Sequence, residues 1–319
     1  MSAASKIREG EPLRFSLASV RPLPDALLDR TRRTFAGACS QVRESHPAAA
    51  GLFTLSLHGS AAGGGDGREI ADGLRSPALA LGVDCALARG RLAERGPGLI
   101  VSDVDSTFIR GEVIDMLAQA AGSADLVADV TARAMAGELD FAESLALRVA
   151  PLEGLPTSAL DDVAARVETA PGAEVLVRTA HAHGAGVGLV SGGFHEVVDV
   201  VAARLGVDRV LANRLEARGG RLTGRTSGPV VTRRAKAAAL AEWAACDGVE
   251  LAGTVAMGDG ANDVAMMEAA AIQGSLASPP TMARAGMASV GVNLPSISAC
   301  DGGGLSAARA RCMASSVAW

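Results

Sequence analysis

The chain has 319 residues, 49% of them hydrophobic and 20% charged, with a formal net charge of −5. That length allows one large domain or two of ordinary size, and the apolar content excludes a globally disordered chain. The acidic balance argues weakly against nucleic acid or an anionic membrane as the main partner. No apolar run approaches the ~18 residues of a spanning helix, and the N-terminus lacks the apolar core of a secretory signal.

Cysteines at 39, 85, 246, 300 and 312 are odd in number and scattered, with no CxxC pair. This argues against a disulfide framework or a zinc site and fits a reducing cytoplasm. His181 and His183, two apart on an expected helix, do not share a face and read as a surface pair.

In chain order, residues 1–10 are polar and expected to fray. Arg14 to Val20 reads as a strand and Pro24 to Ala38 as a helix, with Leu27, Leu28, Thr31 and Phe35 near helical spacing. A weak strand follows near Ser40 to Glu44. Gly51 to His58 alternates polar and apolar residues, a strand pattern. Gly63 to Gly67 reads as a flexible loop, Arg68 to Leu81 as a second helix, and Val83 to Ala88 as a further strand. The order βαββαβ suggests a small α+β domain over residues 11–90. In element order alone it resembles ACT-type regulatory or dimerising modules, which implies a possible homodimer through this domain. Gly90 to Pro97 reads as a linker.

From Gly98 onward strands alternate with helices, which implies a parallel sheet. Strands are expected at Gly98–Val101, Gly186–Val190, Arg209–Leu211, Thr254–Met257 and Ile272–Leu276. The stretch from Gly111 to Ala170 carries no strand signal and is too long for a simple crossover, so it reads as an inserted helical cap. Leu215 to Val231 reads as a β-hairpin turning at Gly219-Gly220. Residues 97–298 would form one α/β domain, and 299–319 a variable tail.

Four stretches carry candidate chemistry. Leu99-Ile-Val-Ser-Asp103-Val-Asp105-Ser-Thr107 is an apolar strand ending in two carboxylates spaced i, i+2. Such an end is costly without a cationic partner, and strand ends of a parallel sheet are where ligands sit. Alone, it reads equally well as an Asp/Ser turn. Ser191-Gly192-Gly193 follows an apolar strand, and its glycines let backbone N–H groups approach an anion, though a plain β-to-α turn would look the same. Lys236 lies near a helix start, where a cation opposes the macrodipole. That placement hints at an anionic partner, while a solitary exposed lysine is the bland alternative. Gly258-Asp259-Gly-Ala-Asn262-Asp263 packs oxygen donors into a glycine-rich turn, suited to a hard cation such as Mg2+.

In the order DxDST, SGG, Lys, GDGxND, these stretches resemble the haloacid-dehalogenase-type phosphatases. Within them, Glu112-Val-Ile-Asp-Met-Leu-Ala, Gly137 to Arg148, Pro171-Gly-Ala, Ser191-Gly-Gly-Phe194, Ala212-Asn213-Arg-Leu215-Glu216 and Leu222-Thr-Gly224 resemble the phosphoserine phosphatase family. The resemblance spans about Gly98 to Ala271. It implies a Rossmann-like parallel sheet with an inserted helical cap, preceded here by the small α+β domain. It also implies hydrolysis of O-phospho-L-serine, the last step of serine biosynthesis, through an aspartyl-phosphate on Asp103. Asp105 would be the general acid and base. Mg2+ would be held by Asp103, Asp259 and the Asp105 carbonyl, with Asp263 supporting that shell. Ser191, Gly192 and Lys236 would bind phosphoryl oxygens, and Asn262 would lie at the phosphate and metal. Glu112 would read the substrate ammonium and Arg148 clamp its carboxylate, while Met135 and Phe141 would close the pocket. After Ala271 the family pattern is lost: Leu276 and Pro279 stand where an aromatic and a lysine are usual. Two other readings stay open: action on another small phosphomonoester, and a serine-sensing protein with a relic catalytic half.

Overall fold

The computed structural model describes residues 6–47, 51–63 and 65–274. The expected tail at 299–319, the departures at Leu276 and Pro279, and the last two residues of the strand expected at Ile272–Leu276 lie outside the described residues.

The N-terminal unit comprises β1 (Lys6–Ile7), β2 (Pro12–Ser19), α1 (Asp25–Ala38), β3 (Cys39–Ser45), β4 (Phe53–Ala61), β5 (Gly65–Asp66), α2 (Gly67–Leu79) and β6 (Asp84–Arg89). Four strands form an antiparallel sheet in the order β3-β4-β2-β6. Alternation dictates its faces. Leu13, Phe15 and Leu17 of β2 point to one side and form a core with Leu27 and Phe35 of α1 and Leu74 and Ala78 of α2. The main elements therefore follow the expected βαββαβ order. Two expectations change. Lys6–Ile7 is not frayed: it pairs with Gly65–Asp66, in what was expected to be a loop, and Ile7 is buried.

The expected linker is also corrected. Residues Gly90–Arg95 form a short helix, α3, ended by Gly96 at φ 74°. Leu92 and Ala93 of α3, with Ala88 of β6, join the core of the following domain beside Ile100. The buried Arg14 donates to the Leu92 carbonyl at 2.9 Å. The junction is thus packed rather than loose.

The second unit contains β7 (Leu99–Asp103), β8 (Gly186–Phe194), β9 (Arg209–Arg218), β10 (Arg221–Ser227), β11 (Thr254–Met257) and β12 (Ile272–Gly274). They form one sheet, β10-β9-β8-β7-β11-β12. Only β10 runs antiparallel, as the return arm of the expected hairpin, with Arg221 opposite Arg218 across Gly219-Gly220. The central parallel strands β7 and β11 are buried on both faces, with no exposed residue.

Between β7 and β8 the chain builds the cap: α4 (Val113–Ala121), α5 (Ala124–Met135), α6 (Phe141–Val149), a 3-10 turn at Ala150–Leu152, and α7 (Ser158–Arg166). α6 starts with a capping box in which Asp140 and Glu143 satisfy each other's backbone N–H groups. The two cap linkers are zipped together: Arg110 N–H donates to Glu168 and Ala170 N–H to Phe108. α8 (Ala173–Ala182) leads into β8, α9 (His195–Leu205) follows it, α10 (Arg233–Cys246) precedes β11, and α11 (Val264–Ala269) precedes β12. His181 on α8 bonds Asp208, and His183 caps the same helix through the Thr179 carbonyl. No helix among the described residues is long and apolar enough to cross a membrane.

Candidate active site

The site lies where β7, β8 and β11 end. Parallel pairing sets Asp103 beside Val190 of β8 and puts Ser102 beside Met257 of β11. The carboxylates after β7, the glycines of β8 and the Gly258–Asp263 turn therefore converge without any long side chain having to reach.

β8 does not end at Val190, where the sequence predicts the strand to stop. It continues to Phe194 through a bulge: Val190 pairs Leu211 and Phe194 pairs Asn213, so four steps on β8 face two on β9. The bulge brings Ser191 to the aspartates. Its hydroxyl donates to Asp105 Oδ2 at 2.8 Å and accepts from Gly193 N–H at 2.7 Å. The other oxygen of Asp105 accepts from Val113 N–H at 2.7 Å, at the start of α4.

Lys236 is 1% exposed, so the solvated alternative for it fails. Thr232 caps α10, and one turn later the Lys236 ammonium donates to Asp103 Oδ1 and, at 2.8 Å, to Asp263 Oδ1. Asp263 Oδ2 accepts from Gly260 N–H at 3.1 Å. Asp103, Asp259 and Asp263 each bring a carboxylate oxygen within 4.8 Å of the others. Three carboxylates this close repel unless cations are shared among them, and hard oxygen donors in this number suit Mg2+. The donor set fits such an ion.

The electrostatics follow from burial. Desolvation pushes Asp103 up to about 7, against the pull of Lys236. It also raises Asp105, opposed by the bonds from Val113 and Ser191. Burial alone would lower Lys236, but Asp103 and Asp263 outweigh it and hold the ammonium above its ordinary pKa. Glu112 is raised to about 7 by desolvation and by Asp105 and Asp115, with Arg148 opposing.

A cavity of about 410 Å3 opens on this cluster. Asp103, Asp105, Glu112, Phe141, Arg148, Gly192, Asp259 and Asn262 all line it. The cap thus contributes Glu112, Phe141 and Arg148 to the same space as the carboxylates of the sheet. Ser191 and Lys236 lie behind the wall and act on it through Asp105 and Asp103. Met135 does not close the pocket: at the end of α5 it is 86% exposed and outside the cavity lining. Its helix ends in solvent, and only Phe141, across the Ala136–Asp140 connection, reaches Gly192.

Two participants were not singled out from the sequence. Thr107, 1% exposed, directs its hydroxyl at Asp259 Oδ1, 3.4 Å away. Ser106 adopts φ 56°, unusual for a residue with a Cβ, and its hydroxyl faces Glu112 at 3.4 Å. A hydroxyl pair directly after paired acids is the signal that carries both.

Comparison with known proteins gives the family of the fold that carries this site. Residues 100–268 match the haloacid dehalogenase-like hydrolase family. A phosphoserine phosphatase of Streptomyces coelicolor is 49% identical over 222 residues, 70% of this chain and 54% of that protein, so the match spans little more than half of the relative. One from Lactococcus lactis is 51% identical over 55% of this chain and 81% of its own length. Among solved structures, an unliganded probable phosphoserine phosphatase from Vibrio cholerae superposes with TM-score 0.64 at 32% identity, covering 83% of this chain and 79% of that one. A phospho-aspartyl intermediate analogue of phosphoserine phosphatase superposes with TM-score 0.52 at 38% identity, over 56% of this chain and 85% of its own. With the cap, the β8 bulge, the acidic turn and all of β7 but its first residue inside the matched span, the chain belongs to the haloacid dehalogenase-like hydrolases.

Proposed function

We propose that the chain hydrolyses O-phospho-L-serine to L-serine and phosphate, with Asp103 as nucleophile. One observation carries the reading: Asp103, bonded to the buried Lys236, lines one cavity together with the cap residues Glu112 and Arg148. It supports a phosphoryl site and a reader of an α-amino acid that share a single small volume.

In the first half, an Asp103 oxygen attacks phosphorus and the bond to the serine oxygen breaks. Asp105 gives its proton to the departing alkoxide. The raised pKa of Asp105 keeps that proton available. In the second half, water attacks the aspartyl-phosphate, Asp105 takes the water proton back, and the phosphorus–Asp103 bond breaks to release phosphate. Lys236 holds Asp103 in place and supplies positive charge beside the phosphoryl oxygens. Gly192 and Asn262 present polar groups from the cavity wall. Asp103, Asp259 and the Asp105 carbonyl would hold Mg2+, oriented by Asp263, and the ion would relieve the repulsion between carboxylate and phosphate. Glu112 pairs with the ammonium, and the planar fork of Arg148 takes the carboxylate. Phe141 shields the pocket from water. Residues 11–90 and 97–298 are read as two units, with the N-terminal one as a regulatory or dimer-forming module.

The test is phosphate release from O-phospho-L-serine and from p-nitrophenyl phosphate, with and without Mg2+, for the parent, Asp103→Asn and Arg148→Ala. Asp103→Asn should abolish both reactions. Arg148→Ala should lower kcat/KM for phosphoserine at least tenfold more than for the aryl ester. Equal losses on the two esters would remove the carboxylate clamp and leave a phosphatase for another small phosphomonoester.

A further inference from the structure

We infer that Asn213 is a positioning residue that fixes Asp105 and the Lys236 helix relative to one another through a single buried amide. The inference rests on the proposed hydrolysis, with Asp105 as proton donor to the leaving group.

Asn213 lies on β9 and is 2% exposed. Both of its amide atoms are used. Its Nδ2 donates to the Gly192 carbonyl at 2.8 Å, and its Oδ1 accepts from Val231 N–H at 2.8 Å. The opposite amide orientation would face donor with donor and acceptor with acceptor, so the assignment is unambiguous.

The Gly192 carbonyl needs this partner because of the bulge. Between the pairs Val190–Leu211 and Phe194–Asn213, β8 leaves the ladder, and residues 191–193 have no register partner on β9. Gly192 is half-buried, where a carbonyl without a donor is costly, and the Asn213 side chain replaces the missing ladder N–H. The bond has a directional consequence. Gly192 C=O and Gly193 N–H belong to one planar peptide unit. Holding the carbonyl toward β9 holds the N–H toward Ser191 Oγ, 2.7 Å away. Ser191 can then spend its own proton on Asp105 Oδ2, at 2.8 Å. The chain Asn213, peptide 192–193, Ser191, Asp105 is thus oriented from one end, and each bond polarises the next.

The second arm points at the other catalytic element. Val231 immediately precedes Thr232, the N-cap of α10. By accepting from Val231 N–H, Asn213 anchors the entry to the helix whose Lys236 bonds Asp103 and Asp263. One side chain therefore sets the spacing between the proposed proton donor and the lysine that holds the proposed nucleophile. No atom of Asn213 lines the cavity, so it acts only through these neighbours.

Asn213→Asp tests this. The aspartate keeps the size and the acceptor for Val231 N–H, but opposes the Gly192 carbonyl with a second acceptor. Asn213→Ser, too short to span both partners, loses both arms and is the second variant if the aspartate fails to fold; the lost α10 anchor slows both esters there, and the relay predicts at least a tenfold larger loss on phosphoserine than on the aryl ester. The leaving group separates the roles. A serine alkoxide needs a proton from Asp105, whereas nitrophenolate leaves without one. The readout is the single-turnover rate of leaving-group release, normalised to the p-nitrophenol burst amplitude, which counts folded sites.

The expected result is a 10- to 100-fold slower release of serine from phosphoserine, with the p-nitrophenol burst rate changed less than threefold. An equal loss on both esters would make Asn213 a structural residue only, and a loss below twofold on phosphoserine would remove it from the relay; either overturns the inference. The underlying reading fails separately, if the parent protein releases no serine. The relay is then tested on any alkyl phosphomonoester the parent does turn over, because the argument needs only an alkoxide leaving group.

Discussion

Replacing Lys236 by methionine should destabilise the metal-free protein by about 3 kcal/mol, and more at pH 8 than at pH 6. Methionine keeps most of the stem volume, so the change is chiefly one of charge. Lys236 is 1% exposed, and the side chains it bonds, Asp103 and Asp263, are 6% and 0% exposed. Their oxygens lie within 4.8 Å. At that distance two unit charges repel by about 3.5 kcal/mol with an effective dielectric constant of about 20, and removing one partner of a buried ion network costs about 3–5 kcal/mol. Protonation limits the loss. Asp103 already sits at about 7 with the lysine present, and without it the pKa rises further. The native variant then binds a proton that the unfolded chain releases, so its stability falls as pH rises between those two pKa values. The Lys236 ammonium, with its raised pKa, is charged throughout pH 6–8 and contributes its full share to the parent there. Melting in EDTA at pH 6 and 8 measures the difference, with an expected drop of roughly 6–12 °C at the higher pH. Mg2+, replacing the lost cation, should recover more of the variant's stability than it adds to the parent. A loss below 1 kcal/mol at pH 8, or one equal at both pH values, would refute the reasoning.

Asp84→Asn should stabilise the protein at pH 8 by up to about 3 kcal/mol. Burial raises the Asp84 carboxyl from 3.8 to about 6, so folding stability falls between those values as pH rises and stays low above them. Melting curves of parent and variant should converge below about pH 4, and identical curves at pH 8 would count against the assignment. Leu92→Ala should cost about 2–4 kcal/mol, because Leu92 is 2% exposed and belongs to the core around Ile100. Its unfolding, followed by hydrogen exchange, should loosen β6 and β7 together; loosening of residues 6–89 alone would show that the junction transmits nothing.

Parts of the site were legible because they are local. Two carboxylates spaced i, i+2 at the end of an apolar strand put Asp103 and Asp105 at a sheet edge whatever the rest of the chain does, and Gly258–Asp263 concentrates oxygen donors within six residues. The burial of Lys236 was not legible alone. Its partner Asp103 lies 133 residues away, and a lysine near a helix start carries no local sign of that pairing. The β8 bulge was hidden for a related reason. Ser-Gly-Gly has the composition of a turn, and only the pairing of Phe194 with Asn213 shows that the strand resumes. Helix α3 is six residues long, too short to announce itself by periodicity. It forms because Leu92 and Ala93 find a core on the far side of the junction. Met135 was misplaced because an apolar residue at a helix end looks the same whether it covers a pocket or faces water.

The N-terminal unit and the cavity occupy opposite ends of the same strands. α3 packs on the turn Leu251–Gly253 before β11, and Gly98, before β7, bonds Gly253 and Gly186. These contacts gather at the N-terminal ends of β11, β7 and β8, whereas Asp103 and Asp259 lie at or beyond the C-terminal ends. β7 has five residues, so about 17 Å of strand separates the two. Among the described residues, none from the N-terminal unit lines the cavity. A signal from residues 6–89 to the site in the same chain therefore has to pass through α3 and the buried strands. Close-packed strands transmit small shifts poorly unless an element has two discrete positions. In the cap, at the cavity end of those strands, Met135 faces solvent while Phe141 rests over Gly192. The second half of the cap is fastened to the hairpin, where Gly154 and Leu155 exchange backbone bonds with Leu222 and Thr157 N–H donates to Gly220. Phe141 and Arg148 both lie on α6, which the Asp140–Glu143 capping box begins and the fastened half follows at once. The residue proposed to exclude water and the residue proposed to read the substrate carboxylate are therefore carried by one helix and move together.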